Sequence, residues 1–273
     1  MNKSIWKKVL AGLAAAALIL TGAACGSPGT DDVPADDSLQ HILDKGELVL
    51  GFDTEFPPMG FVNESGEAVG FDIDVAQEVC SRLGVRLVKR GINWERKEHE
   101  LNSGAIDCIW NGLSITPARS ATMNLTEPYM KNELIFVVPA TSDVMRLSDL
   151  KGKTVGVQTG STAQEVMSSS DDYPDVSVLG YGGMLTLLEA LDSGKVDAAL
   201  LDSVIAYYYV FSKEGEYFIL SDSLAEEEYA VAFRKSDQVL RDRVQEIISD
   251  MKGDGSLGNI SAKWFGSDIT TVK

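Results

Sequence analysis

A run of small polar residues, a proline and an arginine follows an apolar stretch in residues 109–120, IWNGLSITPARS. The guanidinium of Arg119 stays charged at any working pH, and its planar fork of donors suits bidentate binding of a carboxylate. Ser114 and Thr116 can add hydroxyl donors, and Gly112 lets a ligand approach the backbone closely. An arginine after a turn is also commonly just solvated, so this loop predicts a carboxylate site only together with other features.

A second polar turn, in VGVQTGSTAQEV (155–166), joins a strand-like run to a helix-like one. The free N–H groups and the positive dipole end at the start of a helix attract an anion. Ser161 or Thr162 would serve equally well as an ordinary N-cap, which leaves both interpretations open. No lysine follows the glycine, so a P-loop site for a nucleoside triphosphate is disfavoured.

A third feature is Asp202, which ends the apolar run AALLD and begins a helix-like segment. A carboxylate at the carboxyl end of a strand would face a ligand cleft, where an ammonium group is a suitable partner. The alternative is that Asp202 only caps the helix of residues 203–212.

Aromatic side chains and a further carboxylate follow two other strand-like runs. Asp53 and Phe56 come after the run 48–52, and Trp94 comes after the run 85–90. Aromatic residues are more often core residues than ligand contacts, so they carry weight only in combination. A cation, anion-binding amides, a buried anion and aromatic surfaces together suit a zwitterion. The ligand class that these residues predict is therefore a free α-amino acid.

The elements that must position these residues alternate between strand-like and helix-like runs from Glu47 onward. This order predicts an α/β fold with a mostly parallel sheet covered on both faces. The alternation restarts near residue 139, and extended runs at 133–139 and 229–235 would cross between two lobes with a cleft between them. Two independent domains are the alternative, but no linker rich in Pro, Gly or Ser separates the halves.

The first 24 residues differ from the rest, because three lysines precede an apolar run that ends in small residues before Cys25. This pattern predicts a signal peptide at 1–24, followed by a cysteine placed as in bacterial lipoproteins. An ordinary signal peptide cleaved after Ala24 is the alternative. Residues 25–40 are polar and acidic, which predicts a flexible linker that would tether the protein to the membrane through lipidated Cys25.

Charge and residue counts exclude several classes of function. The formal charge of −17 disfavours nucleic acid as a partner. Cys80 and Cys108 lack a metal-site spacing and are interpreted as buried free thiols, with a disulfide as the alternative. His41 and His99, the chain's two histidines, lie in polar or charged segments. The sequence therefore predicts no cofactor, no metal site and no Ser/His/Asp constellation.

From about residue 46 to residue 266, the chain resembles the bacterial extracellular solute-binding proteins of family 3, which serve amino-acid ABC transporters. The segments that carry the resemblance are GFDTEFPPMGFVNESGEAVGFDIDVAQEV, ELNSGAIDCIWNGLSITPARSATMNLTEPY, LKGKTVGVQTGST and ALDSGKVDAALLD. It implies a two-lobe periplasmic-binding-protein-like fold of type II, with the ligand cleft between lobes joined by two crossover strands. Lobe 1 is expected at 41–138 plus 231–273, and lobe 2 at 139–230.

The resemblance also implies roles for single residues. Arg119 would clamp the ligand carboxylate with help from Ser114 and Thr162. Asp202 and the Gly112 carbonyl would hold the ammonium. The complete ligand-binding set that we expect is Asp53, Phe56, Trp94, Asn111, Gly112, Ser114, Arg119, Gln158, Ser161, Thr162 and Asp202.

Glutamine or cystine is the ligand that we expect, since Asp53, Asn111 and Gln158 make the pocket polar. The lone carboxylate of Asp53 could also favour a cationic side chain, so arginine or histidine is the alternative. The expected partners are an ABC permease and, through the lipid anchor, the membrane at the surface of a Gram-positive cell, with the protein as a monomer. The rival class is an enzyme on the same fold, such as a periplasmic dehydratase, and a scavenger or sensor without a transporter is a third interpretation.

Overall fold

The computed structural model describes residues 36–169, 175–213 and 215–273, and Asp36–Lys273 pack as one compact unit. The predicted signal peptide 1–24, Cys25 and residues 25–35 of the predicted linker lie outside the described residues. Within the part that is described, no helix is both long and apolar enough to cross a membrane.

Strands and helices alternate along the chain as the sequence predicts. Strands β1 to β12 are, in order, Glu47–Phe52, Glu55–Phe56, Gly60–Val62, Ala68–Val69, Arg86–Gly91, Cys108–Ser114, Met123–Leu125, Met130–Pro139, Thr154–Gln158, Ser177–Tyr181, Ala198–Asp202 and Tyr217–Arg234. Helices α1 to α9 are Ser38–Lys45, Phe71–Leu83, Lys97–Asn102, Pro117–Thr122, Thr162–Ser169, Met184–Asp192, Ser203–Ser212, Gln238–Gly253 and Ser256–Phe265. Short 3₁₀ turns cover Trp94–Arg96 and Leu147–Leu150.

The main sheet of the described residues has two parallel halves joined by antiparallel strands. Its order is β10-β9-β11-β8-β12-β6-β1-β5, with β7 also paired to β12. Strands β5, β1 and β6 are parallel to one another in what we call lobe 1, and β10, β9 and β11 are parallel in lobe 2. The carboxyl ends of both parallel sets carry the predicted site residues.

Two long strands, β8 and β12, form the crossings between the lobes. Residues 134–137 of β8 pair with β11 in lobe 2, whereas Met130 pairs with Tyr229 of β12. The other end of β12 pairs with β6 and β7 in lobe 1. The predicted arrangement of two lobes joined by two crossing strands is confirmed.

Helix α2 shows how the apolar pattern fixes an element in lobe 1. Its residues Ile73, Ala76, Val79 and Cys80 recur at helical spacing, and all four are buried. Gly84 ends the helix with a φ of 74°, a left-handed conformation that glycine adopts without steric cost. The buried face of α2 places its N-terminal Asp72 behind strand β6.

The N-terminal boundary of the folded unit differs from the prediction. Helix α1 begins at Ser38, inside the segment 25–40 that was expected to be linker. The Asp36 carboxylate accepts hydrogen bonds from the backbone N–H of Ser38 at 2.9 Å and of Val239 at 2.7 Å. These contacts attach the segment to helix α8, and Ile42 is fully buried. A small antiparallel sheet of β2, β3 and β4 was also not predicted, because its strands are only two or three residues long.

Both cysteines within the described residues are buried free thiols. Burial raises the pKa of Cys80 to about 12, and burial also raises the pKa of Cys108. These thiols therefore stay protonated and pack as small apolar groups.

Candidate ligand-binding site

A small cavity between the lobes is lined by nine of the predicted ligand-binding residues, which are Phe56, Trp94, Gly112, Ser114, Arg119, Gln158, Ser161, Thr162 and Asp202. The other two, Asp53 and Asn111, are buried beside it: the Asn111 amide oxygen accepts from the backbone N–H of Asp53 at 2.9 Å. The free volume of the cavity is only about 10 Å³. That space corresponds to roughly one water molecule, so the lobes are closed on each other.

Arg119 lies in the first turns of helix α4, which begins directly after strand β6. Thr116 caps this helix by accepting from the Arg119 backbone N–H at 3.2 Å. The guanidinium donates to the Ser114 carbonyl at 2.8 Å and to the Gly160 carbonyl of lobe 2 at 3.5 Å. Burial lowers the pKa of Arg119, and the carboxylate of Glu227 opposes that shift. The arginine is therefore a desolvated cation that reaches into the cavity, not a solvated surface residue.

The turn before α5 supplies the lobe 2 wall opposite Arg119. The Ser161 hydroxyl donates to the Gln158 carbonyl at 2.7 Å and accepts from the Gln164 N–H at 3.2 Å. Ser161 is thus an N-cap, as one of the two interpretations held, and it also lines the cavity together with Thr162. The positive end of α5 consequently points at the same space as the Arg119 guanidinium.

Asp202 precedes helix α7 but does not cap it with its side chain. The carboxylate instead accepts hydrogen bonds from the Tyr229 hydroxyl at 2.7 Å and from the Asn132 amide. Burial, with the neighbouring Glu227 as the next cause, raises the pKa of Asp202 to about 7. A buried carboxylate with this pKa favours a cationic partner in the cavity.

Glu227, Asn132 and Tyr229 hydrogen-bond to residues that line the cavity, and the sequence did not predict them. All three lie on the crossing strands β8 and β12, where Glu227 pairs with Asn132. The Glu227 carboxylate accepts from the Ser114 hydroxyl and the Asn132 amide, each at 2.8 Å. The three residues link Ser114 of lobe 1 to Asp202 of lobe 2 through hydrogen bonds.

Gly112 has a φ of 57°, and a Cβ there would lie 2.8 Å from the Phe56 ring and 3.2 Å from the Tyr229 ring. Glycine is therefore required for both conformation and space. Its N–H donates to the Asp72 carboxylate at 2.7 Å, which also accepts from the Tyr129 hydroxyl at 2.9 Å. Burial raises the pKa of Asp72 to about 7.

The far end of the cavity carries a contact between the lobes made by polar side chains. The Gln158 amide of lobe 2 donates to the Asp53 carboxylate of lobe 1, and the Glu55 backbone N–H donates to the same carboxylate at 2.9 Å. Burial raises the pKa of Asp53, and these hydrogen bonds partly oppose the shift. No cation contacts Asp53 among the hydrogen bonds and ion pairs of the described residues.

Lys97 is a second buried cation near Arg119 that the sequence analysis did not single out. Its ammonium donates to the Gly160 carbonyl of lobe 2 at 2.8 Å and to the Trp94 carbonyl at 3.2 Å. The ammonium lies 5.0 Å from the centroid of the Trp94 ring. Burial, and then repulsion by Arg119, lowers the pKa of Lys97 to about 8. The site therefore contains more buried charge than the predicted Arg119 and Asp202 pair.

Among the described residues, no cluster of histidine, cysteine and carboxylate side chains is suited to holding a metal ion. His41 and His99 are both exposed and lie outside the cavity lining. The cavity is therefore lined by charged and hydrogen-bonding groups, with the cation of Arg119 on lobe 1 and the carboxylate of Asp202 on lobe 2.

Comparisons with known proteins identify relatives of this chain. The model of the bacterial extracellular solute-binding proteins, family 3, matches residues 48–267. The chain is similar to the L-cystine-binding protein TcyJ of Escherichia coli (strain K12), with 29% identity over 86% of this chain and 89% of the relative. It is also similar to the arginine-binding extracellular protein ArtP of Bacillus subtilis (strain 168), with 28% identity over 95% of this chain and 98% of the relative.

A solved structure has a fold similar to that of this chain. The substrate-binding protein of an ABC uptake transporter from Streptococcus pneumoniae, solved with bound histidine, is 33% identical and covers 87% of this chain and 99% of its own. The TM-score between the two is 0.83.

Proposed function

We propose that this chain, which belongs to the bacterial extracellular solute-binding proteins of family 3, binds a free amino acid in the cavity between its lobes. It would then deliver the amino acid to an ABC permease. The observation that carries the proposal is the opposition of two desolvated charges across one cavity. Arg119 lies in lobe 1 and Asp202 ends the last parallel strand of lobe 2. A zwitterion satisfies both, and each charge would otherwise be costly to bury.

The ligand groups have matching positions. The carboxylate would take the donors of Arg119 together with Ser114 and Thr162. The ammonium would lie against Asp202 and the Gly112 carbonyl. The side chain would extend between Phe56 and Trp94 towards Asp53, Asn111 and Gln158. This assignment uses ten of the eleven residues that were expected from the sequence, and the eleventh, Ser161, lines the same cavity.

Opening and closing of the lobes explains how a ligand enters. The closed cavity has space for roughly one water, so an amino acid can enter only when β8 and β12 bend and the lobes separate. Ligand then stabilises the closed state through the contacts that it makes only there. Permease recognition of the closed form would complete the transport step. We place the division between lobes near residues 139 and 230 of these two strands.

For the side chain, we propose a polar amino acid, with glutamine or cystine first. The amides of Asn111 and Gln158 and the carboxylate of Asp53 offer both donors and acceptors at the far end of the cavity. The aromatic rings of Phe56 and Trp94 would cover the apolar part of such a side chain.

A basic amino acid, arginine or histidine, is the second candidate. It is favoured by the buried Asp53 carboxylate, whose partners are an amide and a backbone N–H and whose pKa is raised by burial. A cationic side chain would stabilise the ionised carboxylate. The enzyme interpretation has no comparable support. His41 and His99 are exposed and lie outside the cavity lining, so neither is placed to act as an acid or base there.

We also propose that Cys25 is lipidated and that residues 25–35 tether a monomeric binding protein to the outer face of a Gram-positive cell membrane. Mass spectrometry of the protein purified from its host membrane tests this part. A diacylglycerol adduct on Cys25 supports it, and a free N-terminus at residue 25 in the culture medium contradicts it.

A thermal-shift screen of the mature protein tests the ligand class. The panel contains the twenty amino acids, cystine and ornithine, with matched amines and carboxylic acids that lack one of the two charges. A ligand at 100 times its dissociation constant adds about 2.7 kcal/mol of stability. Stabilisation by an amino acid but by neither truncated analogue supports the zwitterion site. No stabilisation by any amino acid contradicts it, and conversion of the ligand would favour the enzyme class.

A further inference from the structure

Glu55 makes a contact between the lobes that lies outside the cavity lining. It belongs to strand β2 of lobe 1, and its carboxylate accepts from the Leu185 backbone N–H at 3.0 Å. Leu185 is the second residue of helix α6 in lobe 2. One lobe therefore supplies an acceptor to the start of a helix in the other.

Helix α6 has no side-chain cap of its own. Its N-cap residue is Gly183, which carries no side chain, and the Thr186 hydroxyl donates to the Gly183 carbonyl without covering a free N–H group. The first N–H groups of a helix need an acceptor, and a carboxylate is favoured there by the helix dipole. Because Glu55 and helix α6 lie in different lobes, separation of the lobes would remove this acceptor.

Gly183 provides the space for this contact. A Cβ at Gly183 would lie 2.4 Å from a carboxylate oxygen of Glu55 and 3.0 Å from its carboxyl carbon. The φ of Gly183 is −143°, which any residue can adopt, so glycine is required by space and not by conformation. An alanine at this position would displace the flexible carboxylate without straining α6.

The contact is connected to the ligand site through Asp53. The Glu55 N–H donates to one oxygen of the Asp53 carboxylate, and the Gln158 amide of lobe 2 donates to the other. Closure therefore completes two contacts from neighbouring residues of lobe 1. Neither Glu55 nor Gly183 contributes to the cavity lining.

We propose that Glu55 is a positioning residue that caps helix α6 from the opposite lobe and thereby slows ligand release. It acts on the equilibrium between the open and closed states and makes no contact with the ligand. The effect on ligand release rests on the proposed amino-acid binding, whereas the effect on closure does not.

The test compares Glu55→Ala, Gly183→Ala and the double variant with the wild-type mature protein, and uses Glu67→Ala as the matched control. Glu67 is an exposed glutamate in the same lobe whose backbone and side chain contact Asn63 of its own turn. Stopped-flow measurement with the amino acid found in the screen gives the rates of binding and release. We expect release to accelerate about fivefold in each single variant, the change expected on loss of a helix cap, with little change in association. The double variant should release ligand no faster than either single one, because both changes break the same contact.

A second readout measures closure without ligand. Spin labels on Ser65→Cys in lobe 1 and Ser193→Cys in lobe 2, both at exposed positions, report the distance between the lobes. Glu55→Ala and Gly183→Ala should each increase the population of longer distances, and Glu67→Ala should not. Unchanged distances and an unchanged release rate in Glu55→Ala would overturn the proposal, as would additive effects in the double variant. If the wild-type protein binds no amino acid and Glu55→Ala still lengthens the distance between the labels, the proposed function is rejected and the role of Glu55 in closure is supported.

Discussion

Asp72 and Asp202 are two buried carboxylates that share a hydrogen-bond partner type and a raised pKa, but only Asp202 faces the cavity. Each accepts a hydrogen bond from a tyrosine hydroxyl, Tyr129 for Asp72 and Tyr229 for Asp202. Burial raises the pKa of each to about 7. Asp202 lines the cavity, however, whereas Asp72 is sealed behind β6 and bonds the Gly112 N–H.

This comparison shows that burial and a raised pKa do not by themselves identify a ligand contact. What distinguishes Asp202 is access to the cavity and the presence of other charges around it, from Glu227 and Arg119. Asp72 has a supporting role: it holds the backbone of Gly112, whose carbonyl we propose as a ligand contact. The two carboxylates should therefore respond differently to the same substitution.

The largest expected effect is on ligand affinity in Asp202→Asn. The ligand ammonium would remain buried without its counter-charge, which costs about 2 to 5 kcal/mol, or a weakening of roughly 30-fold or more. Asp72→Asn should weaken affinity by less than about tenfold, because its amide oxygen can still accept from the Gly112 N–H. Calorimetric titration of both variants measures the difference. Equal losses in the two variants would remove the distinction between them.

The next effect is on the pH dependence of unfolding. Asp72 has a folded pKa of about 7 and an unfolded one of about 3.9, so the folded state binds the extra proton between these values. Stability from this group is thus greatest at low pH and is lost as pH rises from about 4 to about 7, by at most about 1.4 kcal/mol per pH unit. Asp72→Asn should make the unfolding free energy less dependent on pH in this range. Denaturant titrations at pH 5 and pH 8 test it, and an unchanged slope in the variant would show that Asp72 is ionised throughout.

In the wild-type protein, ligand affinity should also weaken when the pH is lowered. In the proposed binding mode the ligand ammonium pairs with the ionised form of Asp202, and that form is depleted below its pKa of about 7. Affinity should therefore weaken as pH decreases from 7 to 5, by at most about tenfold per unit. Titrations at several pH values would detect the change, and Asp202→Asn should bind with the same low affinity across the range. A wild-type affinity independent of pH would be inconsistent with the raised pKa.

The smallest effect is expected for Glu227→Gln. Repulsion by Glu227 contributes to the raised pKa of Asp202, second to burial. Its removal should move the loss of affinity on acidification to lower pH by less than about one unit, since burial remains. The amide can keep the hydrogen bond with the Ser114 hydroxyl. The same set of titrations serves, and a midpoint that does not move would mean that burial alone sets the pKa of Asp202.

Much of the fold was predictable because its signals are local. The apolar spacing in α2 and the alternation of strands with helices depend on residues close together in the chain. The strands β2 to β4 were not predictable because they are only two or three residues long, and the start of α1 was not predictable because it depends on contacts such as that between Asp36 and the distant Val239.

The residues that line the cavity were predictable where they follow strand ends, as Arg119 and Asp202 do. Glu227 was missed since it is one of three consecutive glutamates, and only the pairing of β12 decides which of them faces Ser114. Lys97 was missed since it lies in a charged helix where only tertiary structure shows that it is buried, with 4% of its surface exposed. Register and burial between distant segments are the information that local patterns lack.

The central claim is that Asp202 and Arg119 grip opposite ends of one amino acid, and a cycle of calorimetric titrations tests it most directly. Wild-type protein and Asp202→Asn are each titrated with the amino acid found in the screen and with its deaminated analogue, which keeps the carboxylate. We predict that the wild-type protein binds the amino acid at least about 30-fold more tightly than the analogue, and that this preference nearly disappears in Asp202→Asn. A preference that persists undiminished in Asp202→Asn would contradict the claim, because the ammonium would then be held elsewhere.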